Sequence, residues 1–558
     1  MQAWLQMGLT LALVLATVPW LGRYLWQVYA EQPQPRLDRW LLPLETRLLR
    51  WVGGRSEAVT GAWDYLRPLL WTNFCFGGLA FALLHWQPGW LNPLGWPGLR
   101  GDLALHTTIS FLTNTDQQHY VPETSLGNLA QLGALQFLMF VSAATGLAVG
   151  FAVVRGLCGL PLGCFQRDLL RSLTRVLLPG ALLLGLLLLL AGVPMTLASP
   201  LTVTTLEGGR QLLAPGPVAG FEAIKQLGEN GGGFYAANSA HPFENPNAFT
   251  NLLETAAMLV IPSATIDAFG RFLGNRRQSA WLLLLVTLLL VALAAVSLGA
   301  EQLGNPRLAD WVSGANWEGK ELRLGIAPSA LWSVVTSGTM TGATNAALDS
   351  LMPLSSLSAL FNLFLQVVFG GQGTGIAYLL VFLLLTVFLT GLMVGRTPEF
   401  LGRKLEKTDI VYASLILLVH PLFVLVPAAI ALAYPDTLAG ISNPGAHGVT
   451  QVVYEYASAT ANNGSGMAGL ANGSPWWNLS ASVSLLAGRY LPIAALLALA
   501  ARFASKPLLP PGPGTLRTDT ALFTAVTAIV ILILGALTFF PVMALGPIAE
   551  AFALGSGA

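Results

Sequence analysis

The stretch "GENGGGFYAANSAHPFENP", from Gly228 to Pro246, lies between two apolar segments of the chain, 176–197 and 252–270. Each segment is long enough to cross the roughly 30 Å hydrocarbon core of a bilayer. Three consecutive glycines, surrounded by asparagines and two carboxylates, are therefore expected at the mouth of a membrane. Glycine accepts backbone angles that side chains exclude, so this run allows successive carbonyls to point the same way.

The composition is that of a membrane protein. Of 558 residues, 54% are hydrophobic and 10% are charged, and the mean hydropathy is +0.63. Soluble domains carry about 25% charged residues. A net charge of +1 gives no indication of nucleic-acid binding. The three cysteines, Cys75, Cys158 and Cys164, lack the partners of a zinc site and are interpreted as unpaired thiols without a chemical role.

Ten candidate membrane spans follow from segments of about 20 apolar residues. They are 5–28, 68–86, 129–154, 176–197, 252–270, 279–299, 356–370 with 376–394, 409–433, 479–502 and 521–546. The seventh is counted once, as a helix broken by "GGQGTG" (Gly370 to Gly375). The first is interpreted as a retained helix, because no basic stretch precedes it and no small-residue cleavage site follows it.

Lysine and arginine placement predicts the orientation. The segments 29–67, 155–175, 271–277, 395–407 and 501–518 hold 20 of the 28 basic residues. The longer alternate loops hold only six, so the first set is expected to be cytoplasmic and both termini external. This alternation works only if the broken segment counts once. Within the first cytoplasmic loop, Arg36 to Gly54 mixes leucine, tryptophan and arginine at helical spacing. It is expected to lie flat at the lipid interface, with a docking surface for a partner as the alternative.

Four external loops share one pattern, in which a short half-apolar stretch leads into a knot of small polar residues. The four are "LHTTISFLTNTDQQHY" (105–120), "GFEAIKQLGENGGGF" (220–234), "SALWSVVTSGTMTGATN" (329–345) and "TQVVYEYASATANNGSG" (450–466). Centred on Asn114, Gly232, Gly342 and Gly464, they recur at intervals of 118, 110 and 122 residues. A near-constant period indicates internal duplication. Because all four knots face one side, the repeats are parallel.

The half-apolar stretches are too short to span and fit re-entrant half-helices, which are tolerated where they line a cavity. Four such helices around one axis would aim their negative ends inward, which favours a cation. Rings of backbone carbonyls that replace a hydration shell are the basis of potassium filters. The opening stretch is thus predicted to be one quarter of a selectivity filter.

Four motifs resemble the KdpA family, the potassium-binding subunits of bacterial potassium-transporting ATPases. They are "GENGGGFYAANSAHPFENP" (228–246), "NWEGKELRLG" (316–325), "GRTPEFLGRK" (395–404) and "SATANNGS" (458–465). The resemblance runs along essentially the whole chain. It implies an all-α polytopic membrane fold with ten transmembrane helices. Four parallel helix–pore loop–helix repeats surround a pseudo-fourfold axis, with one flanking helix at each end.

The implied units are residues 1–67 (flanking helix and amphipathic loop), 68–175, 176–278, 279–407 and 408–518 (pore repeats 1 to 4), and 519–558 (C-terminal flanking helix). The implied potassium-binding filter comprises Thr113, Asn114, Thr115, Asp116, Asn230, Gly231, Gly232, Gly233, Thr341, Gly342, Ala343, Thr344, Asn462, Asn463, Gly464 and Ser465. Gln118 matches a family position that influences potassium affinity. Gly370 and Gly371 belong to the loop below the filter, which blocks direct flow to the cytoplasm.

Two departures from the family pattern stand out. Thr341 replaces a cysteine, which the backbone coordination tolerates. Gln366 stands where a glutamate is expected, and the family pairs this position with the buried Arg489. The charge of Arg489 is therefore expected to be met by another counter-charge or by backbone carbonyls. At mid-helix depth, such a charge is more typical of a functional site than of a snorkelling residue.

The resemblance implies a non-catalytic member of the Kdp complex, which passes potassium through an intramembrane tunnel to the P-type ATPase (B) subunit. The other implied partners are the C subunit and a small, single-helix F subunit. The implied location is the bacterial inner membrane, with no cofactor beyond potassium. No Asp-Lys-Thr-Gly motif and no G-x-x-x-x-G-K-[ST] loop occur in the chain, so it is not expected to hydrolyse ATP by itself. The alternatives are a stand-alone, gradient-driven potassium transporter or channel, and a scaffold protein with a vestigial filter.

Overall fold

The computed structural model describes residues 2–31, 35–51, 58–308, 311, 314–395, 397–510 and 516–556. Residues 52–54 of the amphipathic stretch and Arg396 of the "GRTPEFLGRK" motif lie outside this part of the chain. The described part is mostly helical, and its two small sheets are hairpins. Strand β1 (Leu201–Thr204) pairs antiparallel with β2 (Arg210–Leu213), and β3 (Glu399–Phe400) pairs antiparallel with β4 (Arg403–Lys404).

Ten helices of the described residues are long and apolar enough to cross a membrane, as the sequence predicts. We number them spans 1 to 10 in chain order: Trp4–Tyr29, Ala62–Trp86, Asn128–Leu157, Phe165–Leu190, Ala248–Leu273, Arg276–Leu308, Thr374–Met393, Lys407–Ala433, Pro475–Ser505 and Ala521–Gly555. Burial places spans 3 and 5 at the centre. Of the residues in their most apolar windows, 89% and 83% are buried, compared with 22% in spans 1 and 10. A helix that is apolar on all sides is expected in such a central position.

Four shorter helices precede the four knots and confirm the predicted helix–pore loop–helix arrangement. We call them pore helices 1 to 4: Gly101–Leu112, Val218–Leu227, Ile326–Gly338 and Gly445–Ala461. None exceeds 17 residues. Each lies between an even-numbered span and the next odd-numbered one, so all four knots are on one side of the bundle. We call this the vestibule side.

The predicted broken helix is present. Its first part, Pro353–Leu365, ends where Gln366 adopts a left-handed backbone with φ of 55°. Span 7 begins at Thr374, after the left-handed Gly373. The break therefore starts four residues earlier than the "GGQGTG" stretch suggests. We call residues 366–373 the cross-loop.

The amphipathic segment forms a helix, Pro35–Trp51, as predicted. Its inner face is fixed by Glu45, which accepts two hydrogen bonds of 2.7 Å from the Arg175 guanidinium. Its outer face exposes Trp40 and Trp51. Its placement at a lipid surface remains a prediction, supported by the exposed tryptophans.

A four-part backbone ring as the candidate functional site

Each knot contains two residues with left-handed backbones, separated by one residue. The pairs are Asn114 and Asp116, Glu229 and Gly231, Met340 and Gly342, and Asn462 and Gly464, with φ between 51° and 95°. A positive φ is uncommon outside glycine, and asparagine and aspartate are the side chains that tolerate it best. Recurrence of the same pair in four knots shows that the repeats share one backbone geometry.

The residue between each pair fixes the register. Its N–H donates to the carbonyl five residues earlier, at the end of its pore helix. The four bonds are Thr115 to Ser110 (3.0 Å), Asn230 to Lys225 (2.9 Å), Thr341 to Thr336 (2.9 Å) and Asn463 to Ser458 (2.9 Å). Asp116, Gly231, Gly342 and Gly464 are therefore equivalent. Two of the centres taken from the sequence are therefore displaced. Asn114 lies two residues before the equivalent position Asp116, and Gly232 lies one residue after the equivalent position Gly231.

The knots meet their neighbours through these equivalent positions. A Cβ built on Gly231 would lie 1.8 Å from the Thr341 carbonyl oxygen. On Gly342, it would lie 1.8 Å from the carbonyl oxygen of Asn463. On Gly464, it would lie 1.7 Å from the carbonyl oxygen of Thr115. Real Cβ atoms do not approach so closely, so these three positions require glycine.

The fourth contact closes the circle between knots 1 and 2. The Asp116 Cβ lies 2.9 Å from where a Cβ on Gly232 would sit. Within the described residues, the carbonyl oxygens of Thr115, Asn230, Thr341 and Asn463 accept no hydrogen bond. The structure thus brings together one member from each predicted filter element. The four knots therefore form a closed circle of contacts, which we call the ring, and each contributes one carbonyl that accepts no hydrogen bond.

Other predicted residues lie on the rim of this ring. Gln118 donates to the Gly233 carbonyl (3.2 Å) and accepts from its N–H (2.8 Å). The Ala343 carbonyl accepts from the Trp332 indole (2.8 Å). Ser465 contacts the Tyr454 hydroxyl at 2.9 Å. The remaining predicted residues, Thr113, Gly232, Thr344 and Asn462, lie in the same four knots, which enclose the ring.

On the vestibule side, the ring opens into a cavity of about 580 Å³. Asp116, Gln118, Gly231, Gly342 and Gly464 are among its lining residues, so all four knots reach it. Among the residues described by the structure, no group of three His, Cys, Asp or Glu side chains could hold a metal ion. The backbone oxygens of the knots are therefore the candidate cation ligands at this cavity.

A buried charge network supports the second knot. The Lys225 ammonium contacts Glu222 (3.0 Å) and Glu244 (2.5 Å), and all three side chains are inaccessible to solvent. Glu244 also accepts the Tyr235 N–H at 2.8 Å. His241 stacks on Tyr235, and burial, with Arg323 nearby, lowers the His241 pKa to about 4. Glu244 thus ties the opening stretch to its pore helix, which accounts for one of the two carboxylates there.

The second carboxylate, Glu229, lies at the inner end of the ring. It is fully buried, and neither oxygen has a hydrogen-bond partner among the described residues. Asn114 donates to the Glu229 carbonyl at 2.7 Å, and the Ser142 hydroxyl donates to Asn114 at 2.9 Å. The Ser142 carbonyl in turn accepts from Arg489 at 3.1 Å. One chain of hydrogen bonds therefore joins the Glu229 backbone to the Arg489 side chain beneath the ring.

Gln366 does not hydrogen-bond to Arg489, so the family pairing is absent here. Its side-chain amide contacts His420 Nδ1 at 2.8 Å instead. Arg489 is held by the Ser142 carbonyl, which is one of the two outcomes expected from the sequence. The physical reason is that Gln366 carries no charge with which to attract the guanidinium, while the adjacent helix offers a carbonyl.

The cross-loop lies below the ring. The Gly370 N–H donates to the Gly338 carbonyl (3.0 Å), and a Cβ on Gly371 would lie 3.4 Å from the Met340 Cβ. On the far side, a Cβ on Gly146 in span 3 would lie 2.2 Å from the carbonyl of Gln372. The loop therefore crosses from the third knot to span 3, and Gly146 permits the close contact on the span 3 side.

Sequence reasoning missed Glu229, Met340 and the supporting role of Asn238, which donates to the Gly231 carbonyl at 2.7 Å. A signal for the first two was present. The triplets "NTD", "ENG", "MTG" and "NNG" align on a central threonine or asparagine. The run of three glycines obscured this alignment, because any of them could have been the ring glycine.

The fold and this ring define a class of protein: a polytopic membrane protein of the pore-loop type, with four re-entrant segments on one axis. Comparison with family models matches residues 8–552 to KdpA, described as the potassium-transporting ATPase A subunit. The chain belongs to the KdpA family.

Curated relatives cover nearly the full length. A potassium-transporting ATPase potassium-binding subunit from Anabaena sp. (strain L31) is 56% identical over 99% of both chains. One from Rhodospirillum centenum is 45% identical over 99% of this chain and 98% of that one. Among solved structures, the potassium transporter TrkH from Vibrio parahaemolyticus matches with a TM-score of 0.49 and 16% identity. The match covers 73% of this chain and 80% of TrkH.

Proposed function

We propose that this chain is the potassium-selecting subunit of an ATP-driven potassium uptake pump. It binds external potassium in the ring of backbone carbonyls. The observation that carries the proposal is the set of four equivalent carbonyls, free of hydrogen bonds and enclosed by glycines at three of four neighbouring positions. Such carbonyls can replace the hydration shell of a potassium ion. Family membership supports the same function.

The proposed filter residues are the sixteen assigned from the family resemblance, with the ring at Thr115, Asn230, Thr341 and Asn463. Basic-residue placement supports a vestibule that faces outward and termini that are both external. The proposed location is the bacterial inner membrane. The proposed partners are the P-type ATPase (B) subunit, the C subunit and the small F subunit of the Kdp complex. The ATPase partner hydrolyses ATP, and this chain is not itself an enzyme.

Potassium is proposed to leave sideways, through a tunnel toward the ATPase partner. The cross-loop supports this route, because it lies across the axis below the ring and contacts both the third knot and span 3. Close backbone contacts at Gly370 and Gly146 leave little freedom for the loop to move aside.

We expect the chain to need its partners. Expressed alone in a bacterial strain that lacks potassium uptake, it should not restore growth at micromolar potassium, whereas co-expression with the rest of the complex should. The reason is that a selective ring without an ATP-binding motif has no energy source. Rescue by the chain alone would contradict the pump and support a stand-alone transporter.

Arg489 is expected to affect delivery below the filter rather than selection within it. Arg489→Gln should change turnover, because it removes a positive charge beneath the ring that interacts with Glu229. The preference for potassium over sodium should be retained, since Arg489 does not contact the ring carbonyls. Potassium-stimulated ATP hydrolysis by the assembled complex measures the turnover, and its comparison with sodium-stimulated hydrolysis measures the preference for potassium. Lost selectivity at unchanged turnover would place Arg489 in the filter itself.

A further inference from the structure

The first and fourth knots meet at a seam that joins the two most distant parts of the ring in sequence. The other neighbouring knots follow one another along the chain, whereas His119 and Glu455, on the two sides of this seam, are 336 residues apart. The ring closes at the same seam, where Gly464 leaves space for the Thr115 carbonyl oxygen. Contacts across the seam therefore determine where this carbonyl lies relative to the fourth knot.

A buried ion pair crosses the seam. His119 Nε2 lies 2.9 Å from the carboxylate of Glu455 in pore helix 4, and the two side chains are 0% and 1% exposed. Asn472, which lines the vestibule, donates to the same carboxylate oxygen at 3.3 Å. In the part of the chain that the structure describes, no other ion pair joins one knot to the pore helix of another. The pair is thus a specific link between the first and fourth knots.

The neighbours of His119 determine its charge. Its Nδ1 lies 2.8 Å from the amide oxygen of Asn478, and the orientation of this amide is fixed because its Nδ2 donates to Asp102 at 2.8 Å. Both ring nitrogens of His119 therefore face oxygen acceptors, and a neutral imidazole can donate from only one nitrogen. The His106 ring stacks on His119 with centroids 3.9 Å apart. His119 is accordingly assigned as a fixed imidazolium beside a carboxylate.

The ion pair lies a short distance along the backbone from the ring. Residues 115–119 leave the ring and are held on both sides, because Gln118 bonds Gly233 of the second knot and His119 bonds pore helix 4. Each residue spans at most about 3.3–3.6 Å, so the four steps from Thr115 to His119 leave little slack. A shift of His119 would therefore be passed to the Thr115 carbonyl.

We propose that His119 and Glu455 are positioning residues of the ring. Their buried ion pair clamps the first knot to the fourth and holds the Thr115 carbonyl where it can bind the ion. The inference rests on the proposed function and adds to it the groups that close the ring. Both residues act through the backbone and are not themselves ligands. Loss of a group that orients a metal ligand typically lowers metal affinity by about 10- to 100-fold.

The single variants His119→Gln and Glu455→Gln test the clamp, because each leaves a buried partner without its counter-charge. We expect the KM for potassium to rise on the order of tenfold in each. The kcat at saturating potassium should stay near that of the wild type, since the ATPase partner is untouched. The measurement is potassium-stimulated ATP hydrolysis by the assembled complex.

The double variant His119→Gln with Glu455→Gln should recover most of the lost potassium affinity. Two amides can still hydrogen-bond across the seam, and neither leaves a buried charge uncompensated. Such a recovery is the signature of a direct interaction between the two positions.

Arg155→Met is the matched control for a general loss of stability. Arg155 forms a buried ion pair with Asp168, and it lies near the end of span 3 that is remote from the vestibule. Its loss should lower the midpoint of thermal unfolding in detergent but leave the KM for potassium unchanged. Comparison with the single variants at His119 and Glu455 separates displacement of the ring from destabilisation of the fold.

Three results would overturn the clamp: an unchanged KM in both single variants, a double variant as impaired as the single ones, or an equal rise of KM in Arg155→Met. Should the single variants fail to assemble, Asn478→Ala removes only the oxygen that orients His119, and an unchanged KM there would also overturn the clamp. Absence of potassium-stimulated hydrolysis in the wild-type complex would instead overturn the proposed function.

Discussion

Gly464→Ala is expected to abolish high-affinity potassium binding. The new Cβ would lie 1.7 Å from the Thr115 carbonyl oxygen, and the residue would retain a φ of 95° that alanine resists. Backbone strain of this kind costs about 1–3 kcal/mol. Displacement of the Thr115 oxygen also removes one of the four ligands of the ring. We therefore expect potassium affinity to fall by roughly a hundredfold or more.

Gly445→Ala is the matched control. Gly445 also has a positive φ, of 72°, and begins the same pore helix, but no atom lies within 4 Å of its built Cβ. Backbone strain is thus similar, while the ring is untouched. Potassium-stimulated ATP hydrolysis of the assembled complex, at matched protein levels, compares the two variants. Wild-type affinity in Gly464→Ala would show that the knots do not form the ion site.

Lys225→Met is expected to prevent stable folding. The lysine is fully buried and contacts Glu222 and Glu244, with Glu254 joined to the same network through Gln226. Removing the cation leaves buried carboxylates without a counter-charge. Loss of one partner from a buried ion pair typically costs about 3–5 kcal/mol. The variant should accumulate poorly or show a markedly lower midpoint in a detergent thermal-unfolding assay.

The control for this prediction is Arg100→Met, which removes an arginine that is 57% exposed and paired with Asp102. Exposed ion pairs contribute little, so its unfolding midpoint should stay close to wild type. The double variant Lys225→Met with Glu244→Gln should recover part of the lost stability, because one unpaired charge is removed. Equal stability of Lys225→Met and Arg100→Met would mean that the buried network does not support the second knot.

Local patterns were enough to predict the overall architecture. Apolar runs of about 20 residues located all ten spans, because a bilayer demands continuous hydrophobicity along a helix. The break near Gly370 was visible because glycine interrupts an apolar run. The four knots were recognisable because small polar residues are unusual between such helices. Each of these signals is contained in a segment of a few tens of residues.

The register of the knots depends on tertiary contacts. Gly231 must be glycine because the Thr341 carbonyl, from another repeat, occupies the space of its Cβ. Within "GENGGGF" taken alone, nothing distinguishes Gly231 from Gly232, since the neighbour that selects between them is more than a hundred residues away and only alignment with the other knots indicates the register.

The charges below the ring show the same division. The burial of Arg489 in a membrane helix could be predicted from the residues alone, and the lack of a counter-charge at Gln366 followed from the family resemblance. Only the folded chain shows that the Ser142 carbonyl accepts a hydrogen bond from Arg489 and that Gln366 contacts His420. Hydrophobicity and backbone tolerance are properties of single residues and short segments, so the sequence specifies them directly. A hydrogen bond or ion pair in a low-dielectric interior depends on ångström-scale placement of distant groups, and that placement exists only after the repeats have packed around their axis.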